Sequence, residues 1–428
     1  MFNRLIPSVL KNKDFLKLWL AQIFSQSANQ LLNFILILKV YEMTGSSTMV
    51  SLLIVCITIP PVLFGIYAGV FADRFSQKMI MYGVNFLRGL FVLSYAFLSF
   101  HLWYIFLMAF LISSVMQFFL PAEAARIPAV VKKEQYLAAN SLYVSTNYAA
   151  VALGYSLVGL VQLLPKVQYQ FVFISILFFI ASFVLLFLPY DKGKKIEMSF
   201  AKLFMGVKQD FLESWVLIKS KASIYMPFIY LIFIWIAFGV SYVMIPSLAK
   251  EVFNIPNISI SQLVVIPAVL GAITGGFLVN KICKKNKKEK VISLGILMIG
   301  FDALVISLIP NIKNILINNG LYTSLFLFLL KPIIIVALLF IIGMGAILII
   351  AVAQTLLQEN LEENHRGRTF GFLYMCTNVL NFLPVIFVGL LADILSIKTV
   401  IFIIALVVVL FGFSNLYILN KKIVKISD

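Results

Sequence analysis

Apolar runs alternate with short polar segments along the whole chain. One bilayer span needs about 20 apolar residues. Runs of this kind lie at roughly 15–41, 48–72, 79–100, 103–122, 138–163, 170–189, 225–248, 262–282, 290–310, 332–357, 369–391 and 398–420. The pattern predicts an all-α polytopic membrane protein with twelve transmembrane helices. The apolar stretch 321–330 is too short to cross, so we expect it at the outer surface or as an extension of the tenth helix.

The first apolar run carries a polar stripe. In "QIFSQSANQLLN", the amides Gln22, Gln26, Asn29 and Asn33 follow one another at spacings of 4, 3 and 4. Four such side chains fall within an arc of about 60° on a helix. Because amides both donate and accept hydrogen bonds, the stripe favours the lining of a substrate cavity. The alternative is hydrogen bonding between packed helices.

Composition and charge narrow the class of protein. Hydrophobic residues make up 62% of the chain and charged residues only 12%, unlike a soluble domain. The net charge of +17 would suggest nucleic acid in a soluble protein. Here 26 of the 34 lysine and arginine residues lie in segments that the alternating spans place on one side. This bias predicts a multi-pass protein of the cytoplasmic membrane with both termini cytoplasmic. We expect membrane lipids and a small molecule as partners, no nucleic acid, and a monomer.

The longest polar stretch divides the chain. It predicts an N-terminal six-helix bundle at 1–189, a cytoplasmic linker at 190–224 and a C-terminal six-helix bundle at 225–428. A weak repeat agrees with this division, since "GVFADRFSQKMI" at 69–80 and "GFLVNKICKKNK" at 276–287 each follow the second span of a half. Related halves predict a substrate site at their interface near mid-membrane.

Several motifs resemble the major facilitator superfamily. "GVFADRFSQK" is similar to its loop signature, although Ser76 replaces the second glycine. Three further stretches resemble the macrolide-efflux and enterobactin-exporter-like branch: "VYEMTGSSTMVSLL", "FFLPAEAARIPAVVKKEQYLAANSL" and "AQTLLQENLEENHRGRTFGF". The resemblance implies the major facilitator fold, in which the first helix lines the central cavity. Polar residues on one side of the eleventh and fifth helices extend the predicted cavity lining: Tyr374, Asn378 and Asn381 at spacings of 4 and 3, and Asn147.

The resemblance also implies a gate on the cytoplasmic side. In the family, the aspartate of the loop signature holds this side against the eleventh helix. The gate residues would be Gly69, Asp73, Arg74, Lys78, Arg366 and Arg368. The alternatives are an ordinary charged turn for the first four and topology-setting charge for the two arginines.

Two ionisable residues lie inside predicted spans, Arg88 in the third and Asp302 in the ninth. Intramembrane ionisable residues are candidates for function. Arg88 could instead be structural, bonded to backbone or to Asn85. Asp302 can gain and lose a proton, so proton coupling is possible, although the acidic and Gly-Pro positions usual for related antiporters are absent here.

These observations predict a secondary transporter that exports an amphiphilic or apolar small molecule by alternating access. An uncharged cavity of amides and aromatic rings suits such substrates. The alternatives are a flippase for lysophospholipids or other lipids, and a membrane sensor that transports nothing. The sequence has no nucleophile, metal or phosphate-binding pattern, so we expect neither an enzyme nor a cofactor.

Overall fold

Twelve long α-helices make up most of the described chain. The computed structural model describes residues 9–98, 101–132, 135–191, 213, 215–256, 259–318 and 324–427. The helices are α1 Lys13–Thr44, α2 Ser47–Arg74, α3 Gln77–Phe97, α4 Leu102–Val130, α5 Tyr136–Val161, α6 Val167–Leu186, α7 Ala222–Ser247, α8 Ile266–Lys285, α9 Lys288–Asn318, α10 Ser324–Asn360, α11 Glu363–Leu395 and α12 Ile397–Ser427. Short π-helical turns, Leu248–Val252 and Ser261–Val265, follow α7 and precede α8. The all-α, twelve-helix prediction is confirmed.

Length and apolar composition suit most of these helices to a membrane. Within the described ranges, 10 segments are long and apolar enough to cross one. The segment α1 is not among them, although it has 32 residues. Its amide stripe lowers its hydropathy, and the same stripe makes it the most polar of the long N-terminal helices. A helix is the form that satisfies all backbone hydrogen bonds within one segment, as hydrocarbon requires.

The prediction placed the end of the fourth helix too early. It ended that helix at residue 122, whereas α4 continues to Val130 and contains both Pro121 and Pro128. A proline removes one backbone hydrogen bond without ending a helix that packing supports. The strong helix former alanine recurs in "PAEAARIPAV" and favours continuation. Residues 123–130, which follow the predicted span, are therefore helical.

The short apolar stretch 321–330 was expected either at the outer surface or as an extension of the tenth helix. The helix α10 begins at Ser324, so residues 324–330 extend the tenth helix at its N-terminal end. Residues 321–323 lie outside the described residues. The helix α9 is also longer than predicted and ends at Asn318.

Two compact units divide the chain. Unit 1 comprises Met1–Met43 and Leu52–Met198, and unit 2 comprises Thr44–Ser51 and Ser199–Asp428. The predicted limits 1–189, 190–224 and 225–428 stay predictions, since most of the linker lies outside the described residues.

Unit 1 is organised around α3, which packs against α6 and α4. Its core contains fully buried Phe15, Phe119 and Phe171. Arg88 of α3 is also fully buried, and it is the largest such side chain described. A guanidinium in this position requires polar partners within the unit.

Unit 2 contains a close contact between the backbones of α8 and α10. A Cβ atom added at Gly271 would lie 1.9 Å from the Phe340 carbonyl oxygen, and one at Gly343 would lie 1.8 Å from the Ala268 carbonyl oxygen. The two glycines thus let the helices approach reciprocally, as small residues do in membrane helix pairs.

Asp393 of α11 caps the first turn of α2, which groups with unit 2. Its carboxylate accepts hydrogen bonds from the backbone N–H groups of Ser47 and Thr48 at 2.7 and 3.0 Å. The hydroxyls of Ser46 and Thr48 donate to it as well. A carboxylate at a helix N-terminus satisfies orphan N–H groups and favours the helix dipole.

Candidate functional site

Arg88 joins α3 to the polar stripe of α1. Its Nη2 donates to Asn29 Oδ1 at 2.6 Å, and its Nη1 donates to Ser25 Oγ at 3.2 Å. The Ser25 hydroxyl in turn donates to Asn85 Oδ1 at 2.7 Å. The guanidinium also lies 4.2 Å from the centre of the Phe178 ring, which favours a cation. We call Ser25, Asn29, Asn85 and Arg88 the Arg88 network.

A buried glutamate that the sequence analysis missed lies beside this network. Glu123 of α4 is 4% exposed, and its Oε1 atom has no hydrogen-bond partner among the described residues. It interacts electrostatically with Arg88 and with the Tyr143 hydroxyl of α5. The prediction had placed residue 123 in a loop. The alanine-rich helical composition around it was the signal that could have placed it inside α4.

The amides of the α1 stripe have different environments. Gln22 donates from Nε2 to the Tyr143 carbonyl oxygen at 3.2 Å, so it links α1 to α5, while its own Oε1 is buried without a partner. Asn29 is held by Arg88. Gln26 and the half-buried Asn33 make no hydrogen bond to a described residue. Half of the stripe therefore bonds other helices, and half retains free amide groups.

The polar line predicted on α11 is partly exposed in unit 2. Tyr374 is 58% exposed, and its carbonyl oxygen accepts a 2.8 Å hydrogen bond from Asn378 Nδ2. Asn381 packs against Gly239 of α7, and its Oδ1 is buried without a partner. The fourth residue predicted there, Asn147, lies in α5, and its side chain lies outside the described part of the structure.

Asp302 of α9 is isolated from other polar groups. It is 6% exposed, its Oδ2 atom is buried without a partner, and the described part of the chain gives it no hydrogen bond or ion pair. Arg88 belongs to unit 1, and Asp302 belongs to unit 2.

Of the predicted gate residues, Lys78 has a defined partner. Its Nζ donates to the Leu188 carbonyl oxygen at 2.7 Å, at the end of α6. Arg74 is exposed. Four further gate residues belong to α2 or α11 by their backbone, but their surroundings lie outside what the structure describes: Gly69, Asp73, Arg366 and Arg368.

Asp191, which the prediction did not single out, caps α3 close to Lys78. Its carboxylate accepts from the backbone N–H groups of Gln77 and Lys78 at 2.6 and 3.1 Å and from the Ser76 hydroxyl at 3.1 Å. Arg126 of α4 lies 3.4 Å from the same carboxylate and also donates to the Pro189 carbonyl oxygen. The start of α3 is thus tied to the segment after α6.

The family is decided by a match over most of the chain. The model of the Major Facilitator Superfamily matches residues 18–329. The chain belongs to this superfamily. The predicted superfamily is therefore confirmed, and the protein is a multi-pass membrane protein of a transporter family. The expected efflux branch stays a prediction.

Curated relatives within the superfamily match over a shorter range. The MFS-type transporter YjbB of Bacillus subtilis is 28% identical over 156 residues, which are 35% of this chain and 38% of that protein. YfiS of the same organism is 26% identical over 157 residues, 37% of each protein. The matches span little more than a third of the length of these relatives.

Solved structures of transporters share the fold. The nucleoside transporter NupG superposes with a TM-score of 0.68 at 14% identity, covering 94% of this chain and 98% of NupG. A variant of the peptide transporter POT in complex with sulfate gives a TM-score of 0.71 at 13% identity and covers 98% of both chains. At this identity the likeness concerns the major facilitator fold alone.

The described residues contain no group of three or more His, Cys, Asp or Glu side chains that could hold a metal ion. The described residues do contain neutral amides that form hydrogen bonds and a few buried ionisable groups. The Arg88 network with Glu123 in unit 1, and Asp302 in unit 2, are the described examples.

Proposed function

We propose that the protein is a secondary transporter that exports an amphiphilic or apolar small molecule across the cytoplasmic membrane by alternating access. The observation that carries this proposal is the state of the α1 stripe. Gln26 and Asn33 make no hydrogen bond to a described residue, and Arg88, the cation bonded to this stripe through Asn29, is fully buried. A substrate at this face meets neutral donors and acceptors.

Neutral amides favour particular substrates. An ionic metabolite needs a charged partner to offset its desolvation, and a sugar needs many polar groups. A largely apolar molecule with one or two polar groups needs only a few amides.

Purified protein in liposomes tests this function. The probe set is a panel of fluorescent amphiphilic dyes, neutral and cationic, with a fluorescent lysophospholipid as a separate arm. We expect dye movement that empty liposomes lack. Flux of the lysophospholipid alone would indicate the flippase, and no flux of any probe under any imposed ion gradient would contradict transport.

Variants of α1 test the site separately. Gln26→Leu removes a free amide without stranding a partner, so we expect dye flux to fall while the melting temperature is unchanged. Leu20→Ala is the matched control on an exposed position of the same helix, and we expect it to leave flux unaffected. Wild-type flux in Gln26→Leu would contradict the assignment of the stripe to the substrate.

A further inference from the structure

Three buried polar side chains from three helices interact with one another in unit 1. Glu123 of α4 is the common member, since it interacts with Arg88 of α3 and with the Tyr143 hydroxyl of α5. Among the described residues, Glu123 Oε1 and Arg88 Nε are buried without a hydrogen-bond partner. A buried polar atom that lacks a partner is costly, and folded proteins keep few of them. Such a concentration in one place indicates a group that changes its partners in use.

The charge balance around Glu123 defines two states. Arg88 directs its two terminal nitrogens at the neutral acceptors Ser25 and Asn29. No ion pair joins it to Glu123, since none of the described salt bridges includes either residue. A buried carboxylate without a paired charge is unfavourable, so this arrangement fits the protonated, neutral acid. The ionised carboxylate would attract the guanidinium and weaken its bond to Asn29.

We propose that Glu123 is the proton-binding residue of the transporter and that Arg88 transmits its protonation state to Asn29 of the α1 stripe. Uptake of a proton from water converts the carboxylate to the carboxylic acid, and Arg88 then bonds Ser25 and Asn29 as observed. Loss of that proton to water draws Arg88 toward Glu123 and frees the Asn29 amide for another partner. This inference rests on the proposed transport function and names the group that couples it to protons.

The other charged groups around Glu123 already have partners. On its own helix, Arg126 bonds the Pro189 carbonyl oxygen and pairs with Asp191. At the start of α1, Lys17 bonds Asp14 and the Phe187 carbonyl oxygen. On α3, Lys78 bonds the Leu188 carbonyl oxygen. The side chain of Asp73 in α2 lies outside the described part of the structure. Arg88 and Tyr143 are thus the titratable groups that face Glu123 in the described part of unit 1.

Proton access fits the position of Glu123 in α4. Seven residues separate it from Val130 at the helix end, a distance of about 10 Å along the axis. By the predicted topology, this end of α4 lies at the cytoplasmic side. We therefore expect Glu123 to exchange its proton with the cytoplasm.

Carbodiimide labelling of the purified full-length protein tests the proton site without any substrate. Dicyclohexylcarbodiimide reacts with protonated carboxyl groups in apolar surroundings, and peptide mapping by mass spectrometry locates the adduct. We expect an adduct on Glu123 that declines as the pH is raised from about 5 to about 9. Glu123→Gln is the control that must lose it. No adduct on Glu123 at any pH would overturn the proposal.

The proposed link from Glu123 through Arg88 to Asn29 predicts shifts in the pH at which carbodiimide labelling is lost. Arg88→Gln removes the cation that favours the ionised form, so labelling should persist to a pH about one unit higher or more. Asn29→Leu releases Arg88 toward Glu123, so labelling should be lost at a lower pH than in the wild type. If Arg88→Gln does not fold, the Asn29→Leu shift alone decides. A labelling curve that is unmoved in every folded variant would overturn the link.

Dye flux separates this inference from the proposed function. In liposomes that carry a proton gradient, Glu123→Gln should lose accumulation against the dye gradient but retain downhill equilibration. If the wild-type protein moves no probe while the labelling shifts are observed, the proposed substrate class fails and the proton site stands. Full gradient-driven accumulation in Glu123→Gln would overturn the proton site.

Discussion

Glu123 in unit 1 and Asp302 in unit 2 are both carboxyl groups buried in long apolar helices, yet their surroundings differ. Each has one oxygen without a partner among the described residues. Glu123 interacts with a buried guanidinium and a buried hydroxyl from two other helices. Among the described residues, Asp302 makes no hydrogen bond or ion pair. Burial makes a carboxyl group prefer the neutral form, but only neighbours that respond to its charge can carry a signal from it.

The sequence predicts Asp302 as the possible proton carrier, because this residue lies within a predicted span and can gain and lose a proton. Nothing in the structure tests that role, and Asp302 stays a candidate. The Arg88 network provides Glu123 with a route to the α1 stripe, whereas no route of this kind leads from Asp302 through the described residues.

The largest expected effect separates the two acids in transport. Glu123→Gln should reduce gradient-driven dye accumulation in liposomes to the level of empty liposomes. Asp302→Asn should leave at least about half of the accumulation, because no charged neighbour responds to its protonation. Equal loss in both variants would break the distinction, and loss in Asp302→Asn alone would reverse it.

The second effect concerns stability of unit 1. Arg88→Gln removes two hydrogen bonds donated by a charged group, each worth about 1.5–3 kcal/mol. We therefore expect the free energy of unfolding to fall by about 3 kcal/mol, measured as a clear drop in the melting temperature in detergent. The control Lys39→Gln changes a lysine that pairs with the exposed Glu42 of the same helix and should cost less than about 1 kcal/mol.

A smaller effect of opposite sign is expected at Asp302. Replacing an unpaired buried carboxyl by an apolar side chain of similar size, as in Asp302→Leu, removes a desolvation penalty of about 1–3 kcal/mol. The melting temperature should rise or stay unchanged. A marked decrease would show that Asp302 has a partner that stabilises the fold, and the contrast with Glu123 would then weaken.

The smallest expected effect on stability is at Asp393, whose carboxylate caps α2 and accepts hydrogen bonds there. Asp393→Ala removes the cap of α2 and should cost about 1 kcal/mol, within the range measured for helix caps. Asp393→Asn should restore part of this loss, since an asparagine also caps helices well. Thermal unfolding of the two variants in the same detergent provides the measurement. Identical melting temperatures for Asp393→Ala and wild type would show that the cap contributes nothing.

The fold was largely predictable because a long apolar run must form a helix in hydrocarbon. The spacing of the four amides also located the polar face of α1. The end of α4 was missed because the apolar run that predicts the fourth span stops at residue 122, and Glu123 was lost with it. The contact between Arg88 and Asn29 was beyond reach, since the relative depth and rotation of two helices depend on packing that a single sequence does not reveal. Asp191 was overlooked because a charged residue after a span is usually only a marker of topology.

The position of Asp191 has a practical consequence for splitting the chain. The predicted first bundle ends at residue 189, yet the carboxylate that caps α3 and pairs with Arg126 comes two residues later. A fragment that stops at 189 would lose both the cap and the partner of Arg126. Two halves produced from separate genes and combined in one membrane should therefore be divided after residue 191. A protease site introduced to sever the halves belongs beyond the same residue.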